Sequence, residues 1–188
     1  MSVRTLFCLF LFLGSVANGK DCQLKVALHA NQRVYHIGDT FKCSIRLTNV
    51  GSTPFRLLPE DVWVDAADLS FKAASTAQTG TMFRLSDVFD VEGYAKDVVI
   101  LRPRQSAERI VAANVSSELT SSYHERRHGL VLNFTGSALV LPHFGRYSVT
   151  KQFKQRSDSP VSAYLKPGPP FCDVLAVSSP IDVEFVKD

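Results

Sequence analysis

Phe41-Lys42-Cys43-Ser44-Ile45-Arg46-Leu47 decides the fold: every odd position is apolar and every even position polar. A period of two marks a strand with one buried face and one wet face. Toward the N-terminus, Tyr35-His36-Ile37-Gly38-Asp39 reads as the turn feeding this strand. Before it, Cys22 to Leu28 alternates with its apolar residues at even positions, as a first strand would. Toward the C-terminus, Asn49-Val50-Gly51-Ser52-Thr53-Pro54 breaks the pattern and Phe55-Arg56-Leu57-Leu58 resumes it. Lys72 to Thr81 is small and polar and reads as a surface loop, and Phe83, Leu85, Val88 and Phe89 suggest one or two short strands. Val98 to Leu101 and Ala107 to Ala113 read as neighbouring strands around a turn. Others are expected at Leu130 to Leu132, Ala138 to Leu141, Tyr147 to Phe153 and Ile181 to Val186. Helical periodicity is nearly absent, so the sequence predicts an all-β antiparallel sandwich with at most one short helix.

The first residues follow a different logic. Arg4, the apolar run Leu6 to Leu13 and the small residues Gly14, Ser15 and Ala17 form the three-part plan of a secretory signal peptide. Cleavage after Ala17 or Gly19 is expected, giving a leader over residues 1–19 and a single domain over 20–188. No later run approaches the roughly 20 apolar residues of a membrane span, so the expectation is a secreted chain with no membrane insertion. Lys and Arg number 21 against 18 Asp and Glu, a net charge of +3 that falls to +2 when Arg4 leaves with the leader. That is no electrostatic footprint for nucleic acid. Arg102, Arg104, Arg109, Arg126 and Arg127 are scattered and read as solvated strand faces and turns.

His143-Phe144-Gly145-Arg146-Tyr147-Ser148-Val149 resembles the tyrosine corner of immunoglobulin-like domains, where an acidic residue, a Gly and a Tyr precede the second core cysteine. Here His143 stands in place of the acid and Val149 in place of the cysteine. The resemblance implies an immunoglobulin-like sandwich without the antibody-type disulfide. Further short matches lie at Gly38-Asp39, Leu47-Thr48-Asn49-Val50-Gly51, Leu101-Arg102-Pro103-Arg104-Gln105-Ser106 and Ser179-Pro180-Ile181. Together they resemble secreted sandwiches such as the pro-domains of deuterolysin-like metalloproteases and a bacterial intracellular proteinase-inhibitor family. That likeness covers most of the mature chain and implies engagement of a protease or another extracellular protein.

His124-Glu125-Arg126-Arg127-His128 spells H-E-x-x-H, which on a helix sets two imidazoles on one face to hold zinc with the Glu as general base. Ser116 or Ser117 could cap such a helix, Leu119 and Tyr123 are spaced four apart, and Gly129 could end it. The third ligand is the difficulty: no Gly and His follow in metzincin register, and His143 belongs to the turn before Tyr147. The bland reading is a charged turn or short helix between two strands, and the zinc-dependent hydrolase using His124 and His128 is the rival function. No G-x-S-x-G elbow, Cys-His signature or phosphate-binding Gly loop is present, so neither catalytic residues nor a cofactor are assigned. Asn114-Val115-Ser116 and Asn133-Phe134-Thr135 are glycosylation sequons, of which a eukaryotic secretory pathway would use at least one.

The leading expectation is a non-enzymatic module that binds an extracellular protein through end loops. Its basis is Gln155 to Phe171, a long Pro- and Ser-rich segment carrying Tyr164 and Phe171, which in this fold lies beside Asn49 to Pro54. A third reading is a carbohydrate-binding sandwich using Trp63 and Tyr94. Of the four cysteines, Cys8 leaves with the leader, and the remaining three allow one pair. First and last strands that run side by side would bring Cys22 and Cys172 together. Cys43, on the core face opposite Val149, is left as a buried, unreactive thiol.

Overall fold

The alternation at 41–47 becomes the strand Thr40–Asn49, which buries Phe41, Cys43, Ile45 and Leu47 on one face. The computed structural model describes residues 22–57, 69–76, 78–84, 98–121, 124–158 and 165–187. In chain order the strands are β1 (Leu24–Ala30), β2 (Val34–Tyr35), β3 (Thr40–Asn49), β4 (Phe55–Leu57), β5 (Leu69–Ala73), β6 (Thr81–Arg84) and β7 (Val99–Leu101). After them come β8 (Ser106–Ser121), β9 (His124–Phe134), β10 (Ser137–Leu141), β11 (Gly145–Gln155), β12 (Val174–Val177) and β13 (Ile181–Phe185). There is no helix among the described residues.

The fold is an all-β, immunoglobulin-like antiparallel sandwich. One sheet has six strands in the order β1-β3-β8-β9-β10-β6. The other is built around β11. Strand β5 pairs along one side of it, while β12 and β13 follow each other along the other, with Gln152 opposite Val177 and Val149 opposite Ile181. The edge strand β2 runs parallel to β13, so the N-terminal segment leaves one sheet as β1 and joins the other as β2. That second sheet reproduces the C, F and G strands of an immunoglobulin domain. The first departs from that plan, because β8 rather than the strand before β11 lies beside β3, and β9 and β10 intervene.

Several expectations are corrected in detail. Strand β5 occupies part of the expected loop, since Lys72 and Ala73 pair with Ser148 and Tyr147. Strand β7 pairs with β4 rather than β8, forming a separate two-stranded ribbon. Tyr35, expected in a turn, is fully buried on β2. The largest correction is at the H-E-x-x-H motif. The expected turn or short helix is strand, because β8 runs on to Ser121 and β9 starts at His124.

The core forms two main clusters along the sandwich. The lower one centres on Tyr35, Phe41, Phe71, Tyr147 and Phe185, whose rings pack edge-on, tilted or, for Tyr35 on Phe185, stacked, with centroids 5.3 to 6.4 Å apart. The upper one joins Val26, Ile45, Leu47 and Phe153 to Phe55, Leu57 and Leu101 of the β4–β7 ribbon. That ribbon caps the upper core and sets the floor of the loop end.

Candidate functional site

At the upper end, Asn49 organises the loop that leaves β3. Its fully buried amide donates from Nδ2 to the carbonyls of Thr53 (2.9 Å) and Leu101 (3.0 Å), and its Oδ1 accepts the Gly51 N–H. The loop 49–54 is thereby tied to the end of β7. Next to it, Cys22 and Cys172 form the expected disulfide, with Cα atoms 6.2 Å apart. The bridge links the residues preceding β1 and β12, joining the two sheets at one edge, and Cys22 Sγ lies 3.9 Å from the Thr53 hydroxyl.

Arg56 on β4 holds the second loop. Its N–H donates to the Pro170 carbonyl at 3.0 Å, and its guanidinium donates to the Lys166 carbonyl and lies over the Phe171 ring, 5.8 Å from the centroid. Gly168 is where the guanidinium crosses the chain; a Cβ there would stand 2.2 Å from Arg56 Nη2. From the other side, buried Gln155 donates from Nε2 to the carbonyls of Arg56 (2.9 Å) and Cys172 (3.2 Å). Asp173 accepts from the Ser157 N–H (2.7 Å) and hydroxyl (3.1 Å), bonds that hold its carboxyl below the usual carboxylate range. The expected juxtaposition of Asn49–Pro54 with the base of the 155–171 segment is therefore present.

The exposed side of this end is amphipathic. Ile100 lies directly across the ribbon from Arg56 and is exposed, as is Val50 in the first loop. Phe171 is half-buried under the guanidinium. Tyr164, Trp63, Tyr94 and the leader over residues 1–19 lie outside the described residues. Sequence reasoning singled out Phe171 but missed Arg56 and Gln155, which hold it in place.

The lower end carries the tyrosine corner. The buried Tyr147 hydroxyl donates to the His143 carbonyl at 2.6 Å, and burial raises its pKa. His143 Nδ1 is 2.8 Å from the Phe144 carbonyl, which requires the proton on Nδ1, and Nε2 lies 3.3 Å from the Ser75 hydroxyl, from which it accepts when the ring is neutral. The pair borders an open hollow of about 560 Å³ with Phe144 and Arg146. Its donor order is that of a nucleophile and base, yet the imidazole is oriented by a neutral carbonyl and its ring packs against Tyr147, 5.8 Å away. It closes the corner from outside.

The H-E-x-x-H motif lies on the part of the β8–β9 hairpin beyond β3 and β10. His128 is opposite Glu118 and His124 opposite Ser121, with an extra residue on β9 between these pairs. The two histidines thus stand about three strand residues apart, roughly 10 Å along the backbone, rather than one helical turn apart. The helical arrangement the motif requires is absent. Gly129, expected as a helix stop, sits at a second bulge with φ 146°, a conformation glycine alone adopts readily. Among the described residues no group of three His, Cys, Asp or Glu is placed to hold a metal. Cys43 is free and buried, and burial pushes its thiol pKa up to about 11.

Compared with known proteins, the chain matches no family model and no curated sequence. Its own geometry carries the functional argument.

Proposed function

We propose that this protein is a secreted, non-enzymatic β-sandwich module that binds another extracellular protein through its upper end. The observation that carries the reading is the Arg56 clamp. A long loop that would otherwise be solvated is fastened at its base to β4, beside a second loop fastened by Asn49, and the disulfide joins the two sheets under both. Ordering the loops before binding lowers the entropy lost on association. Arg, an aromatic ring and exposed aliphatic residues are the side chains that anchor protein interfaces. A secreted protease is the partner class to which the sequence resemblance points. The leader-like first residues and the disulfide support an oxidising, extracellular setting.

The test is a pull-down from extracellular fluid with the wild type, an Ile100→Asp variant and a variant shortened between Ser157 and Pro169. Loss of the same captured protein with both variants supports the reading. Equal recovery with all three removes this end from consideration.

A further inference from the structure

The two sequons meet in the structure. Asn114 on β8 and Asn133 on β9 are direct cross-strand partners. Residues so paired point to the same face of the sheet with Cβ atoms about 4.5–5.5 Å apart. An N-acetylglucosamine ring with its acetamido group is broader than that spacing, so two glycans on this pair would crowd each other and have to splay apart.

The surroundings break the tie. Asn114 is exposed, and Lys42 and Ala112 on the same outer face are exposed as well. Asn133 is only half-exposed, and its neighbours on the same face, Val131 along β9 and Ala138 across on β10, are fully buried. A sugar on Asn133 would have to displace whatever covers them. Ser116 of the first sequon lies on the same face and bonds with Glu118, while Thr135 of the second sits in the exposed β9–β10 turn, so neither hydroxyl separates the sites.

We infer that the folded protein carries a single N-linked glycan, on Asn114, and that the Asn133 sequon stays unmodified in it. In the transfer, Asn114 Nδ2 bonds to the anomeric carbon of an oligosaccharide carried on a lipid pyrophosphate. The anomeric carbon–phosphate oxygen bond breaks, the lipid pyrophosphate leaves and the amide loses one proton to a base. Both sequons can be reached while the chain is extended, so folding acts as the filter: a chain modified at Asn133 cannot close the buried patch around Val131 and Ala138. The glycan also shields the outer face of the β1–β3–β8 sheet and leaves the Arg56 end open.

The inference rests on the secreted reading, and the experiment separates the two. The protein is expressed in eukaryotic cells with its own residues 1–19 and, in parallel, with a heterologous leader. The folded, secreted product is analysed by intact mass and by peptide mapping after enzymatic deglycosylation. One glycan per chain is expected, with the Asn-to-Asp conversion at position 114 only; Asn114→Gln should abolish it and Asn133→Gln leave it unchanged. A glycan on Asn133 in the folded wild type, two glycans per chain, or none with the heterologous leader would each overturn the inference. Retention only of the protein with its own first residues would sink the secreted reading while the Asn114 glycan still stood.

Discussion

The Arg56 guanidinium lies over the Phe171 ring and crosses the chain at Gly168, so one side chain fastens the 165–171 segment to the β4–β7 ribbon. Arg56→Ala should free that segment at a cost of about 2–4 kcal/mol, the sum of a cation–π contact and one charged hydrogen bond. Limited proteolysis should then cut between residues 165 and 171 faster than in the wild type. Gly168→Ala should reproduce the effect by pushing the flexible guanidinium aside, and should add nothing once Arg56 is gone. Additive effects of the two substitutions would refute the clamp.

Tyr147→Phe removes only the hydroxyl that reaches the His143 carbonyl. The ring still fills the lower core, so the loss should be about 1–2 kcal/mol, the value of one part-buried hydrogen bond. Urea denaturation measures it. His143→Ala should cost less, because the corner bond goes to its backbone.

The Cys22–Cys172 bridge spans 150 residues of sequence. In the chain-entropy account, closing so long a loop stabilises by about 5 kcal/mol. A Cys22→Ser, Cys172→Ser double variant should lose most of this and show early exposure of the 165–171 segment to protease. Denaturation of the wild type with and without reductant gives the same comparison without a substitution.

Where a period of two ran over seven positions the strands were legible, as at Phe41 to Leu47 and, interrupted once by Lys151, at Tyr147 to Phe153. The same signal was present at Leu69-Ser70-Phe71-Lys72-Ala73 and was hidden by the small residues that follow. The β8–β9 hairpin was illegible for a physical reason: each bulge resets the period of two, and Ser116 to His128 holds almost no apolar residues to mark a face. Lys151 shares the core-facing side of β11 with Tyr147, Val149 and Phe153, and its burial comes only from the assembled sandwich. The site was half legible. Cys22, Cys172 and Phe171 could be chosen from residue type and fold, whereas Arg56 meets Phe171 only through the β4 bridge, a contact remote in sequence that carries no local pattern.

Zinc should not bind the H-E-x-x-H segment stoichiometrically, since strand geometry separates His124 from His128 along a bulged ladder. Metal analysis of protein equilibrated with zinc and then dialysed should find it well below one ion per chain, unchanged by His124→Ala. Near-stoichiometric zinc lost in that variant would restore the hydrolase reading.

Cys43 ties stability to alkaline pH. Burial raises its folded-state pKa from 9.0 to about 11. A thiol harder to ionise when folded contributes stability that is complete below the unfolded pKa and disappears as pH rises through the folded one. Between pH 9.0 and about 11 the unfolded chain therefore sheds this proton first, and the protein should lose about 2–3 kcal/mol from this group. Tyr35 and Tyr147, both raised by burial above 10.0, act in the same sense at higher pH. Urea midpoints measured across this range for the wild type and Cys43→Ala report the thiol together with its coulombic effect on Tyr35, while Tyr147 is common to both. The wild type should fall more steeply, and a thiol reagent at neutral pH should label Cys43 only after unfolding. Parallel pH profiles, or rapid labelling of the native protein, would mean that Cys43 is not enclosed between β3 and β11.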